Sequence, residues 1–118
     1  MLGAILVGLL IQSTSVDKDR VFVADGFMTG EQYLKLTETQ RAAYAMGFIN
    51  GLLASPMMAK DAERPAHELQ MCLKEHTNTQ IAEIIRRYIN DRPQRWHEGL
   101  NILGYLALQE GCPALSPH

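Results

Sequence analysis

Three Thr-x-x-Gln tetrads punctuate this chain: Thr29 to Gln32, Thr37 to Gln40 and Thr77 to Gln80. In each, the threonine hydroxyl can accept from a backbone N–H of the following turn. The glutamine side chain can reach back to the threonine's own N–H. A reciprocal box of this kind satisfies donors that a helix start otherwise leaves orphaned. Three helix starts are therefore expected, and an all-α fold with them.

The apolar spacing behind the boxes agrees. A short helix is expected from the first box through Leu36. After the second box, Tyr44, Gly47, Phe48, Gly51 and Leu52 recur at i, i+3, i+4, i+7 and i+8, one face of a 3.6-residue period. After the third, Ile81, Ile84, Ile85, Tyr88 and Ile89 repeat the pattern, with Arg86, Arg87 and Asn90 on the other side. Asp91-Arg92-Pro93 ends that helix, because the residue before proline avoids the helical region. Pro93 suits the first turn of a further helix. That helix carries Trp96, Leu100, Leu103 and Ala107 and stops at Gly111. A short helix over 67–76, with Cys72 in its middle, completes an expected bundle of four to five helices.

Gly47 and Gly51 flank a small-xxx-small pattern. A helix-interior glycine costs up to about 1 kcal/mol against alanine. Close approach of a second helix is the expected reason, and a ligand touching the backbone is the alternative. Tyr44, Gly47, Gly51 and Trp96 are thus the expected helix-packing residues. Residues 55–66 read as a loop with two prolines. Its Met57 and Met58 suit either an adaptable binding surface or core filling. With Lys60, Asp61, Glu63 and Arg64 they form the candidate partner-binding segment. The carboxylates of Asp61 and Glu63 read as solvated.

Composition narrows the class. The chain has 118 residues, 47 % of them apolar, and a net charge of −2. That is one domain's worth of core, and it lacks the basic face that nucleic acid requires. Residues 1–15 hold an uncharged run, Leu2–Ile11, too short for the roughly 20 residues of a membrane span. The run matches the apolar region of a secretory signal peptide, with Ser13 and Ser15 as the small residues before a cleavage site. No Lys or Arg precedes it, and an N-terminal helix packed on the core or on a partner is the other reading. Residues 16–118 then form a single helical domain. Val21 and Val23 suggest a short extended piece before the Asp25-Gly26 turn.

The two cysteines, Cys72 and Cys112, read as one disulfide if the protein is exported and as two buried thiols if it is cytosolic. If bridged, they close a long loop worth about 4 kcal/mol in the chain-entropy account. Chemistry is harder to find. His97-Glu98 lacks the second histidine of a zinc-protease helix, since Asn101 stands there. His67, Cys72 and His76 have conceivable metal-ligand spacing, but a disulfide and surface imidazoles fit better. No nucleophile elbow, phosphate loop or dinucleotide fingerprint occurs, so neither enzyme activity nor a cofactor is expected. Arg86, Arg87, Arg92 and Arg95 form either a solvated face or a dock for an acidic partner.

The ordered features, taken together, have a likeness. They are Phe27-Met28-Thr29-Gly30 with Tyr33 and Leu34, then Tyr44 with Gly47-Phe48-Ile49-Asn50-Gly51, then Cys72, Thr77, Gln80 and Ile84 through Tyr88. Asp91-Arg92-Pro93, Trp96-His97, Ala107 and Cys112-Pro113 close the series. Over 27–113 the chain resembles the Rap/Tai family of type VI secretion immunity proteins and the small exported proteins grouped with them. The resemblance implies a periplasmic, helical, disulfide-bonded protein, often a homodimer. Its partner would be a cell-wall-degrading effector, typically a peptidoglycan amidase, neutralised by occlusion. Cys72 and Cys112 match the family's C-terminal disulfide, and Gly47 and Gly51 its glycine-bearing helix. Many relatives carry a further cysteine pair where this chain has Leu36 and Tyr44. A small periplasmic stress or chaperone-like protein is the alternative function.

Overall fold

Each capping box closes as expected in the computed structural model, which describes residues 27–115. At the first, the Gln32 N–H donates to Thr29 Oγ1 at 3.2 Å and the Thr29 N–H to Gln32 Oε1 at 2.9 Å. The Thr37–Gln40 and Thr77–Gln80 pairs repeat both bonds. These boxes start α1 (Gly30–Leu34), α2 (Glu38–Leu53) and α4 (Asn78–Asn90). The other two helices are α3 (Glu63–Leu73) and α5 (Leu100–Gly111). Among the described residues the fold is thus all-α, and its only bridge is an isolated one between Thr29 and Gly99. No described helix is long and apolar enough to cross a membrane. The expected signal peptide and the extended piece at Val21 and Val23 lie outside the described residues.

Helix α4 is the centre of the packing, with α2 and α5 as its main neighbours. Its buried residues Ile81, Ala82, Ile85 and Ile89 meet Ala45 and Ile49 of α2 and Leu100, Leu103, Ala107 and Leu108 of α5 in one cluster. Burying an Ile or Leu side chain contributes about 1.5–3 kcal/mol. Tyr33 of α1 is fully buried against this cluster. Its hydroxyl donates to the Ala82 carbonyl oxygen at 2.7 Å, so the one polar atom it brings inside has a partner. Trp96 is half-buried, and its indole N–H donates to the Ile89 carbonyl oxygen at 2.7 Å.

The segment before α1 locks onto the segment before α5. The Leu100 N–H donates to the Met28 carbonyl oxygen, the Gly30 N–H to that of Glu98, and the Glu31 N–H to that of Trp96. Gly30 suits this close approach, because a Cβ on it would lie 2.7 Å from Cδ1 of the buried Leu103 and 3.2 Å from Ile89 Cγ2. Gly104 serves the same purpose between α5 and α2, where a Cβ would sit 2.9 Å from Phe48 Cε1.

Three expectations need correcting. Among the described residues no helix packs on Gly47 or Gly51: both are exposed, and a Cβ on either meets nothing within 4 Å. The core face of α2 is centred on Ala42, Ala45 and Ile49, which turns the glycines outward. Residues 55–66 are not one loop. They make two 3-10 turns, Ser55–Met57 and Lys60–Ala62, and the first turn of α3. Pro65 is compatible with that turn, where its missing N–H has no intrahelical partner to lose. Finally, Pro93 opens only the 3-10 turn Pro93–Arg95, and α5 waits until Leu100, beyond a turn and the isolated bridge at Gly99.

Candidate functional site

The two cysteines are joined. Cys72, near the end of α3, bonds Cys112 just past α5, across a sequence separation of 40. This removes Cys72 from any nucleophile or metal set. Among the described residues no group of three His, Cys, Asp or Glu side chains converges on a point where an ion could sit.

Each arginine of the basic stretch bonds a carboxylate, with Arg86 and Arg87 sharing one. Glu83 accepts from Arg86 at 2.7 and 2.8 Å and from Arg87 at 3.3 Å. Those bonds pull its carboxyl down to about 2. Arg95 pairs with Glu98 at 2.6 and 2.8 Å, which likewise lowers the Glu98 carboxyl. Arg92 lies 3.8 Å over the Tyr88 ring and bonds Glu110 at 3.0 Å. A groove of about 330 Å³ runs between α4 and α5 along Ile84, Tyr88, Ala107 and Gly111. Both of its arginines already bond carboxylates, Arg92 to Glu110 and Arg87 to the Glu83 that it shares with Arg86.

The unusual surface lies on α2. Tyr44 and Phe48 flank its buried face. Tyr44 packs edge-on against Tyr33 and stacks on Phe48, each at a centroid distance of 5.8 Å. The opposite face presents Ala43, Met46, Gly47, Asn50, Gly51 and Ala54 to solvent. It carries no charge, and none occurs anywhere between Arg41 and Lys60. Exposed helix faces ordinarily carry charged and polar residues. The chain leaves this face into the first 3-10 turn, where Met57 is 89 % and Met58 92 % exposed. They are therefore not core filler. Lys60, Asp61, Glu63 and Arg64 follow and are all exposed, so the whole candidate segment reaches solvent.

A groove of about 390 Å³ adjoins the methionine turn. Leu53 and Pro56 form one wall, and Glu63, Ala66, His67 and Gln70 of α3 the other. A smaller apolar recess of about 180 Å³ lies between the end of α2 and α3, and Tyr105 and Leu115 contribute to its lining.

Sequence reasoning missed the exposed face of α2. The signal was present as a long uncharged run, but a helix period gives the spacing of a face and not which way it points. Comparison with protein-family models, with curated proteins and with solved structures finds no match.

Proposed function

We propose that this is an exported binding protein of the immunity type, which neutralises a cell-wall-degrading effector by seating on it and occluding its active site. The observation that carries the binding half is the surface running from Ala43 along Met46, Gly47 and Gly51 to Met57 and Met58. Among the described residues, its two interior glycines have open space above them and no role in packing. Each costs up to about 1 kcal/mol in the free protein, and a partner backbone resting on them would offset that cost. Methionines add adaptable, polarisable contacts, and the charged rim of Lys60, Asp61, Glu63 and Arg64 suits the polar edge of an interface. The choice of effector, an amidase acting on peptidoglycan, is supported by the resemblance over residues 27–113.

The test is a photo-crosslinking amino acid placed at Met58, with a control at Gln94, in protein exported to the native envelope. The expected product is a partner captured from position 58 and not from 94, which hydrolyses peptidoglycan and is blocked by the purified protein at equal stoichiometry. A captured partner without wall-hydrolysing activity contradicts the effector assignment. Capture of a second copy alone would make the surface a homodimer seam. Equal capture from both positions, or none, contradicts the surface itself.

A further inference from the structure

Helix α3 is weakly anchored at its start. α1, α2 and α4 each begin on a threonine box, whereas α3 follows Ala62 and α5 follows Gly99 with no side-chain cap, and alanine is the poorer of these two cap residues. A missing cap costs a helix about 1 kcal/mol. Its packing is also peripheral. α2 and α5 both pack on α4, while α3 lies mainly against α2, the two 3-10 turns before it and the turn Pro113–Leu115. Its far end is held by Leu69 and Leu73, by the buried Leu115, and by the bond from Cys72 to Cys112. The two sulfurs are not equivalent. Cys112 is 2 % exposed and belongs to the core, whereas Cys72 is only half-buried at its edge, with its Sγ 3.8 Å from the Gly111 carbonyl oxygen.

We infer that this disulfide is a thiol-exchange site with a fixed direction of attack, and that opening it releases α3 with its flanking turns from a helical body that stays folded. The co-reactant is a dithiol, either a small molecule or the paired thiols of an oxidoreductase. One of its thiolates attacks Cys72 Sγ. A mixed disulfide forms there as the bond to Cys112 breaks, and Cys112 leaves as a thiolate that takes a proton from water. The second thiolate of the reductant then attacks its own mixed-disulfide sulfur and expels Cys72, which is protonated in turn. The protein disulfide gains two electrons and two protons, and the dithiol becomes a disulfide. Attack at Cys112 is disfavoured because its sulfur sits in the core, and exchange depends on access. Met57 and Met58 lie on the released segment, so opening would also disperse the proposed binding surface. That consequence rests on the binding reading, but the measurements below use no partner and stand or fall without it.

The direction of attack is read with reduced glutathione on the oxidised full chain, quenched early with acid and N-ethylmaleimide. Mass spectrometry is expected to find glutathione on Cys72 and maleimide on Cys112, in about tenfold excess over the reverse arrangement. An equal or inverted ratio overturns the assignment. Release is read by hydrogen exchange after dithiothreitol. Exchange is expected to speed up about tenfold or more over 63–73 and 113–115, with 38–53 and 78–90 little changed. A uniform rise, or no change in α3, overturns it. The C72S/C112S double variant should show the same local pattern without reductant. A double variant that fails to fold contradicts a body that stands without its staple.

Discussion

The Tyr33 hydroxyl donates to the carbonyl oxygen of Ala82 across 49 positions of sequence, inside a fully buried contact. This bond fixes the short first helix to the central one. Tyr33→Phe keeps the ring and removes the bond. The expected loss is about 1 kcal/mol, because the Ala82 carbonyl also lies within the α4 helical ladder. Urea denaturation of the two proteins measures it, with an unchanged slope showing that compactness is preserved.

The same residue sets an alkaline limit. Burial raises the Tyr33 phenol above its ordinary value of 10, so the folded state favours the neutral form. A raised value gives stability that is fully present below pH 10 and lost as pH climbs beyond it. Thermal melts from pH 8 to 11.5 should fall off steeply above 10 in the wild type and less steeply in Tyr33→Phe. Parallel curves would show that Tyr33 is not the group responsible.

Glu83 sets the acid side. Its bonds to Arg86 and Arg87 hold its carboxyl at about 2, below the ordinary 4.5. The depressed value gives stability that is present above 4.5 and lost as pH falls towards 2. The side chain is partly exposed, so the effect is modest and weakened by salt. Glu83→Gln is expected to lower stability by a constant, modest amount above pH 5 and to flatten the profile between pH 4.5 and 2, so that the two proteins converge at low pH. A carboxyl carbon titration by NMR that places Glu83 near 4.5 would remove the basis for this.

The glycines divide into two classes, and alanine substitution separates them. Gly47→Ala and Gly51→Ala meet open space in a helix interior, so each should stabilise the free protein by about 0.5–1 kcal/mol. Gly30→Ala drives a methyl into the buried side chains of Leu103 and Ile89, so it should destabilise by about 1–3 kcal/mol. Melting temperatures that move the same way at all three positions would contradict the packing described.

Local signals were the legible ones. Each threonine box is complete within four residues, so Thr29, Thr37 and Thr77 announce their helices without tertiary help. The start of α3 was not legible, because Ala62 offers no cap and the helix grows out of a 3-10 turn. The start of α5 was displaced from Pro93 to Leu100 by backbone pairing with Met28, Glu98 and Gly30, a contact between distant segments. On α2 the periodicity linked Tyr44, Phe48 and Leu52 to Gly47 and Gly51 as one face. The true centre at Ala45 and Ile49 splits that set, putting the aromatics at the edge of the core and the glycines in solvent. Small alanines hid the centre from a reading that weights large side chains. The pairing of Cys72 with Cys112 agreed with an even count, but the unequal burial of the two sulfurs exists only in the folded chain.

The most direct measurement of the binding account uses Gly47→Ala/Gly51→Ala together, with the partner captured at position 58. The account predicts a protein that melts higher than the wild type yet inhibits that partner at least about tenfold less well, because two methyls now hold the partner's backbone away. A double variant that is more stable and inhibits as strongly as the wild type would contradict it.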